Sequence, residues 1–232
     1  MERRGHRQIW SETVLSNMKI WSFENPCDRR WAFASACGAW DQEGNRVQPL
    51  IVEWEPSSTL IGDFTVCWNG VCMRRAVADE LLNLGVRGFE PGPVEVRENS
   101  ERRKRKAKNR VKCPYVGPPL AELWITKWVR MDPERTTYEE ETLSDGTVRK
   151  GLVGIPRKES DWNQDTGEYR EWWIPREPGK GLYVRREALE GCQIFKVSDF
   201  SGGAPRCTDE FKNLVESKGY TNIAFCEIGD VI

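Results

Sequence analysis

The sequence predicts an α+β fold: a mostly antiparallel sheet with a few covering helices, built in part from two weakly repeated helix–Gly–strand units. Three observations predict it. Short segments rich in β-branched and aromatic residues, punctuated by Pro and Gly, recur along the chain. Two stretches carry clear helical periodicity. Each of these is closed by a glycine and followed by an apolar, strand-like segment.

Taken in order, "MKIWSFENPCDRRWAF" from Met18 opens with a first strand whose apolar residues include Ile20 and Phe23. "PLIVEWE" (Pro49–Glu55) and "LWITKWVR" (Leu123–Arg130) are further strands, with "GLVGIP" (Gly151–Pro156) and "YREWWIP" (Tyr169–Pro175) as shorter candidates. Asp161–Gly167 reads as a turn cluster. The first helix is expected over Met73–Leu84, with Met73, Ala76, Val77, Leu81 and Leu84 on one face and Gly85 as the left-handed stop. The second is expected over Asp209–Lys218. Thr208 can serve as its N-cap, Asp209 and Glu210 complement the dipole in the first turn, and Phe211, Leu214 and Val215 form the apolar face before Gly219.

The two helices sit in stretches that match weakly. One runs from Asp63-Phe64 through the first helix and Gly85 to a strand near Phe89. The other runs from Asp199-Phe200 through the second helix and Gly219 to a strand near Ile223. Such a unit cannot bury its own apolar stripe, so two of them closing one core is the physical sense of the repeat. The expected organisation is a disordered leader over 1–17, an N-terminal α+β half over 18–98, a basic mobile loop over 99–112 and a C-terminal α+β half over 113–232. The two halves are able to form one composite domain.

Composition bounds the chemistry. The chain has 232 residues, 38% hydrophobic and 31% charged, with a mean hydropathy of −0.65. No apolar run approaches the ~18 residues of a membrane helix, and the charged N-terminus lacks a secretory apolar core. The expected location is the cytoplasm, with no membrane partner. The single histidine, His6, lies in a polar stretch. A Ser-His-Asp triad, a Cys-His dyad or an HExxH zinc site would have to use it, and it lacks the spaced partners each requires. The eight cysteines include no CxxC pair; Cys67 and Cys72 are the closest, so free buried thiols are expected rather than a disulfide framework or a metal site. "EPGKGLY" (Glu177–Tyr183) lacks the GxxxxGK[ST] pattern of a phosphate loop and reads as a turn. The expectation is a protein that is not an enzyme, without metal or cofactor.

Charge is unevenly spread. Eight of the eleven residues from Arg102 to Lys112 are Lys or Arg; without them the chain holds 27 basic and 36 acidic residues, a charge of −9. Asp132–Asp145 concentrates six acids against Arg135, and like charges at this density argue that neither stretch is packed core. The basic run, starting with Arg102, Arg103, Lys104, Arg105 and Lys106, is the candidate for an alternative, nucleic-acid-associated function. It contains no interleaved aromatic residue, so a solvated loop, or one docking on acidic protein, is favoured over nucleic acid. Of eleven tryptophans, Trp124 and Trp128 fit a core strand. Trp162, Trp172 and Trp173 lie beside turns and charges, where tryptophan suits partner anchoring.

The C-terminal "IFKVSDFSGGAPRCTDEFKNLVESKGYTNIAFCEI" (Ile194–Ile228), together with Met18–Phe23 and "MRRAVADELLNLGVRGFEPGPVEV" (Met73–Val96), resembles the bacterial double-CXXCG motif family, a set of myxobacterial paralogues. Some of its members are immunity proteins encoded beside polymorphic or swarm-inhibition toxins. The family's two CxxCG motifs are degraded here. The first reads "ASACG", with Ala34 at the first Cys position and Cys37-Gly38 retained; at the second, Thr142 and Asp145 stand in the Cys positions before Gly146. Oxygen ligands replace thiolates poorly for zinc, so no metal is carried over; Gly38 and Gly146 are expected to persist as turn glycines. The resemblance implies a non-catalytic immunity protein that binds and neutralises a cognate toxin from a neighbouring gene. An enzyme working through carboxylates alone is the remaining alternative.

Overall fold

The strand expected at Met18 forms as β1 (Lys19–Glu24), and both of its faces are covered. Ile20 enters one apolar cluster, while Phe23, with Trp21 beside it, enters another. A strand buried on both sides belongs in the middle of a sheet. β1 accordingly pairs antiparallel with β16 (Arg206–Thr208) on one edge and β17 (Ala224–Val231) on the other. The computed structural model describes residues 18–26, 28–40, 46–67, 70–98, 111–144, 146–163, 168–200 and 204–232.

After β1 come β2 (Ala34–Trp40), β3 (Arg46–Trp54), β4 (Phe64–Cys67), β5 (Gly70–Arg74), α1 (Arg75–Asn83), β6 (Phe89–Gly92) and β7 (Val94–Arg97). The middle of the chain gives β8 (Leu120–Ile125), β9 (Trp128–Val129), β10 (Tyr138–Thr142), β11 (Val148–Leu152), β12 (Arg157–Asn163) and β13 (Glu168–Ile174). β14 (Leu182–Val184), α2 (Arg186–Leu189) and β15 (Ile194–Val197) precede β16, α3 (Asp209–Lys218) and β17. Among the described residues the sheets are β14-β17-β1-β16-β15-β9, β4-β5-β8-β6, β2-β3-β7 and the two-stranded ribbons β10-β11 and β12-β13. Pairing is mostly antiparallel, with parallel contacts at β14–β17, β15–β9 and β3–β7. The architecture is α+β.

The two helices share a local topology. β5 leads directly into α1, which returns through Gly85 to β6, and β8 lies between β5 and β6, antiparallel to both. β16 leads directly into α3, which returns through Gly219 to β17, and β1 lies between them, again antiparallel to both. The central strand of each unit comes from the other side of segment 99–112, so the stretches before and after it exchange a strand. Val77, Ala78 and Leu81 of α1 and Phe211 and Val215 of α3 enter one shared core, with Phe23, Phe64, Phe89, Leu123 and Ile194. Phe211 meets Phe23 edge-on at 5.6 Å and Phe225 at 6.3 Å between centroids. Lys218 bonds Glu80 at 2.7 Å across the helix pair. The Asp63 carboxylate accepts from the backbone N–H and hydroxyl of Thr221, tying the start of the first unit to the end of the second helix.

Several expectations are corrected. The first helix starts at Arg75, two residues late, because β5 continues through Met73, whose side chain is buried as a strand residue. Its buried face is Val77, Ala78 and Leu81; Ala76 is exposed and Leu84 is 48% exposed. The second helix spans Asp209–Lys218 and ends at Gly219 with φ +66°. Thr208 holds the N-cap position without a side-chain capping bond, and its buried hydroxyl has no hydrogen-bond partner. Asp209 turns its carboxylate to the backbone N–H of Lys19 and the indole of Trp21, fastening α3 to β1.

The strand placed at Leu123–Arg130 breaks at Thr126-Lys127, where both N–H groups donate to the Gly88 carbonyl. Trp128, expected in the core, is 53% exposed beneath the Lys196 ammonium at 5.2 Å. The strand expected over Gly151–Pro156 ends at Leu152. Asp161–Asn163, expected in a turn, are the last residues of β12. Gly38 lies in β2 at a register shift rather than in a turn. Gly146 does turn the chain, with φ +82° between β10 and β11, and Thr142 ends β10.

The acidic stretch is partly packed. Asp132 is 4% exposed and accepts from the Glu134 and Arg135 N–H groups and the Arg185 guanidinium, which offsets the desolvation of its charge. Glu140 and Glu141 stand opposite Lys150 and Arg149, so β11 supplies the balancing cations. Asp145, residues 1–17 with His6, Cys27 and the basic residues 99–110 lie outside the described residues.

Candidate partner-binding surface

β12 and β13 form a two-stranded ribbon of their own. Their register runs from Arg157 opposite Ile174 to Asn163 opposite Glu168, and neither strand pairs with another. Among the ribbon residues whose side chains are described, 157–161 and 172–174, none belongs to an apolar cluster. An isolated two-stranded ribbon is marginal in water by itself. This one nevertheless places Trp172, 43% exposed, opposite Glu159, and Trp173, 56% exposed, opposite Lys158. Consecutive strand residues face opposite sides, so each face of the ribbon presents one open indole. Trp162 belongs to β12 and pairs in register with Tyr169; its side chain lies outside the described residues. Arg102, Arg103, Lys104, Arg105 and Lys106 also lie outside them.

The foot of the ribbon is clamped. On its N-terminal side, Ile155 packs on the cluster that contains Leu182, Phe195 and Ile228. The Glu177 N–H donates to the Gly154 carbonyl at 2.9 Å, closing the two legs. Two residues beyond β13, Arg176 turns inward until its side chain is 8% exposed. It donates to Glu227 at 2.9 Å, to Asp230 at 2.5 Å and, through Nε, to the Lys180 carbonyl at 2.6 Å. Lys19 adds a bond to Asp230 at 2.7 Å and a contact to Glu227 at 3.3 Å. Burial alone would raise the Asp230 pKa, but the Arg176 and Lys19 bonds outweigh it and hold the carboxyl below its ordinary value. Burial likewise opposes the Arg176 charge, and the Asp230 and Glu227 carboxylates more than restore it. The partners of Arg176 are 51 and 54 residues distant in the chain, so no local pattern marks it.

Three buried thiols are unsuited to nucleophilic work. Burial pushes Cys67 up to about 12 and raises Cys72 and Cys207 well above the ordinary thiol range, which keeps them protonated. Cys67, Cys72, Cys192, Cys207 and Cys226 are free thiols. Among the described residues no three His, Cys, Asp or Glu side chains converge as a metal site, and no helix is long and apolar enough to cross a membrane. No known family model matches the chain, and no curated protein is a significant match to it.

Proposed function

We propose that this chain is a non-catalytic, cytoplasmic immunity-type protein that binds and neutralises a cognate protein toxin encoded beside it. The observation that carries the reading is the clamped ribbon with an exposed indole on each face. Tryptophan buries a large area on binding and loses little side-chain freedom, which is why it dominates interface energetics. The open part of each indole gains nothing for the fold, and a ribbon pinned at its foot presents it already positioned, which lowers the ordering cost of association. The resemblance of Ile194–Ile228, Met18–Phe23 and Met73–Val96 to the double-CXXCG family supports the same reading. So does the shared strand–helix–Gly–strand topology, which we interpret as two copies of one unit closing a common core.

The test is co-expression with the neighbouring gene's product, followed by calorimetric titration of the purified pair. Protection of the host and a saturable complex are expected. A toxic neighbour that the protein neither binds nor restrains would refute the proposal.

A further inference from the structure

We propose that a second surface, independent of the ribbon, is a binding site for a small apolar anion: a single carboxylate, or a group of similar charge, on an aliphatic or aromatic body. The site is a groove of about 350 Å³ between the loop after β3 and the segment that enters β8. This is the size range of small-ligand pockets. Its walls are apolar: Trp31, Leu60, Ile61, Val111, Val116 and Pro118. Leu60 is 59% exposed and Val116 91%, so the apolar lip is open to a ligand.

Among the described residues, the charged ones lining the groove are Arg74 and Lys112, and no acid lines it. A guanidinium offers five N–H donors. Arg74 uses one in a short bond to the Ile61 carbonyl, lies 3.6 Å from the Asp63 carboxylate, and has a buried Nε without an acceptor. Walls of this kind beside the Lys112 ammonium, and an Arg74 guanidinium only partly answered by Asp63, are complementary to an amphiphilic anion.

Titration of methyl-labelled protein with sodium decanoate, below its micellar concentration, tests the site. The methyl signals of Leu60, Ile61, Val111 and Val116 are expected to shift together and saturably. Binding of 1-decanol, the uncharged chain of the same length, is expected to be about tenfold weaker, the scale of one charge-assisted hydrogen bond. Leu60→Glu, at an exposed position, is expected to abolish the decanoate shifts at the other three residues. Lys112→Ala is expected to weaken binding severalfold and flatten its salt dependence, while Trp172→Ala leaves it unchanged. Equal affinity for decanoate and decanol, undiminished binding by Leu60→Glu, or shifts scattered away from the groove would each overturn the proposal. None of these outcomes bears on the ribbon.

Discussion

The helix-pair core and the β12–β13 ribbon solve the problem of apolar surface in opposite ways. In the core, the inward faces of the helices are fully partnered. Phe211 is fully buried between Phe23 and Phe225, and Val77 and Leu81 of α1 close the same cluster. In the ribbon, Trp172 and Trp173 remain open to water on opposite faces, and no cluster includes them. The first region is organised to hold the fold together. The second is held in place by the fold through Arg176 and the Gly154–Glu177 bond, and contributes little to it in return. Large aromatic area that the native state leaves unused is area available to a partner.

The contrast is sharpest for truncations. Phe211→Ala should cost about 3–5 kcal/mol of stability, the range for deleting a buried ring. It should lower the urea midpoint without changing what the ribbon contacts. A loss below ~1 kcal/mol would mean that the two helices do not share one tightly packed core.

Arg176→Ala strikes where the two regions join. It leaves Asp230 and Glu227 without their guanidinium, while Lys19 remains to share the charge, so a loss of about 2–3 kcal/mol is expected. The sign of its pH dependence follows from Asp230. The folded pKa of this carboxyl lies below the unfolded value. Its stabilisation is therefore present above the unfolded value and lost as pH falls through the folded one. Wild-type stability should decline in acid, and Arg176→Ala should reduce that decline; unfolding curves at neutral pH and near pH 3 compare the two. An unchanged acid slope would show that the network does not clamp the ribbon's foot. A smaller effect is expected at Gly219, whose φ of +66° closes α3 with no atom near its absent Cβ. Gly219→Ala should cost about 1 kcal/mol from backbone strain alone, read from the thermal midpoint.

What was legible in the sequence was local. α3 was readable from Asp209 to Gly219 because its acidic first turn, its apolar face and its stop all lie within a few residues of one another. α1 was misread at its start because Met73 satisfies helical spacing while its backbone belongs to β5. Trp128 looked like core because the break at Thr126-Lys127 is imposed by the Gly88 carbonyl, 38 residues earlier, and leaves no mark on the segment itself. Asp132 looked solvated because the guanidinium that compensates it comes from Arg185. The same holds for the candidate surface. Trp172 and Trp173 stand out in the sequence by their charged neighbours, but the Arg176 clamp depends on Asp230 and Glu227 at the far end of the chain. The exchange of β1 and β8 between units is likewise a long-range fact, invisible to periodicity.

The most direct test of the account is the double substitution Trp172→Ala/Trp173→Ala, measured twice. Exposed positions of this kind should change unfolding free energy by no more than ~0.5 kcal/mol. If the indoles are partner anchors, affinity for the neighbouring gene's product, measured by titration calorimetry, should fall at least ~30-fold for each one engaged, the scale of an interface hot spot. Unaltered affinity with intact stability, or a collapse of the fold itself, would contradict the claim that the ribbon exists to meet another protein.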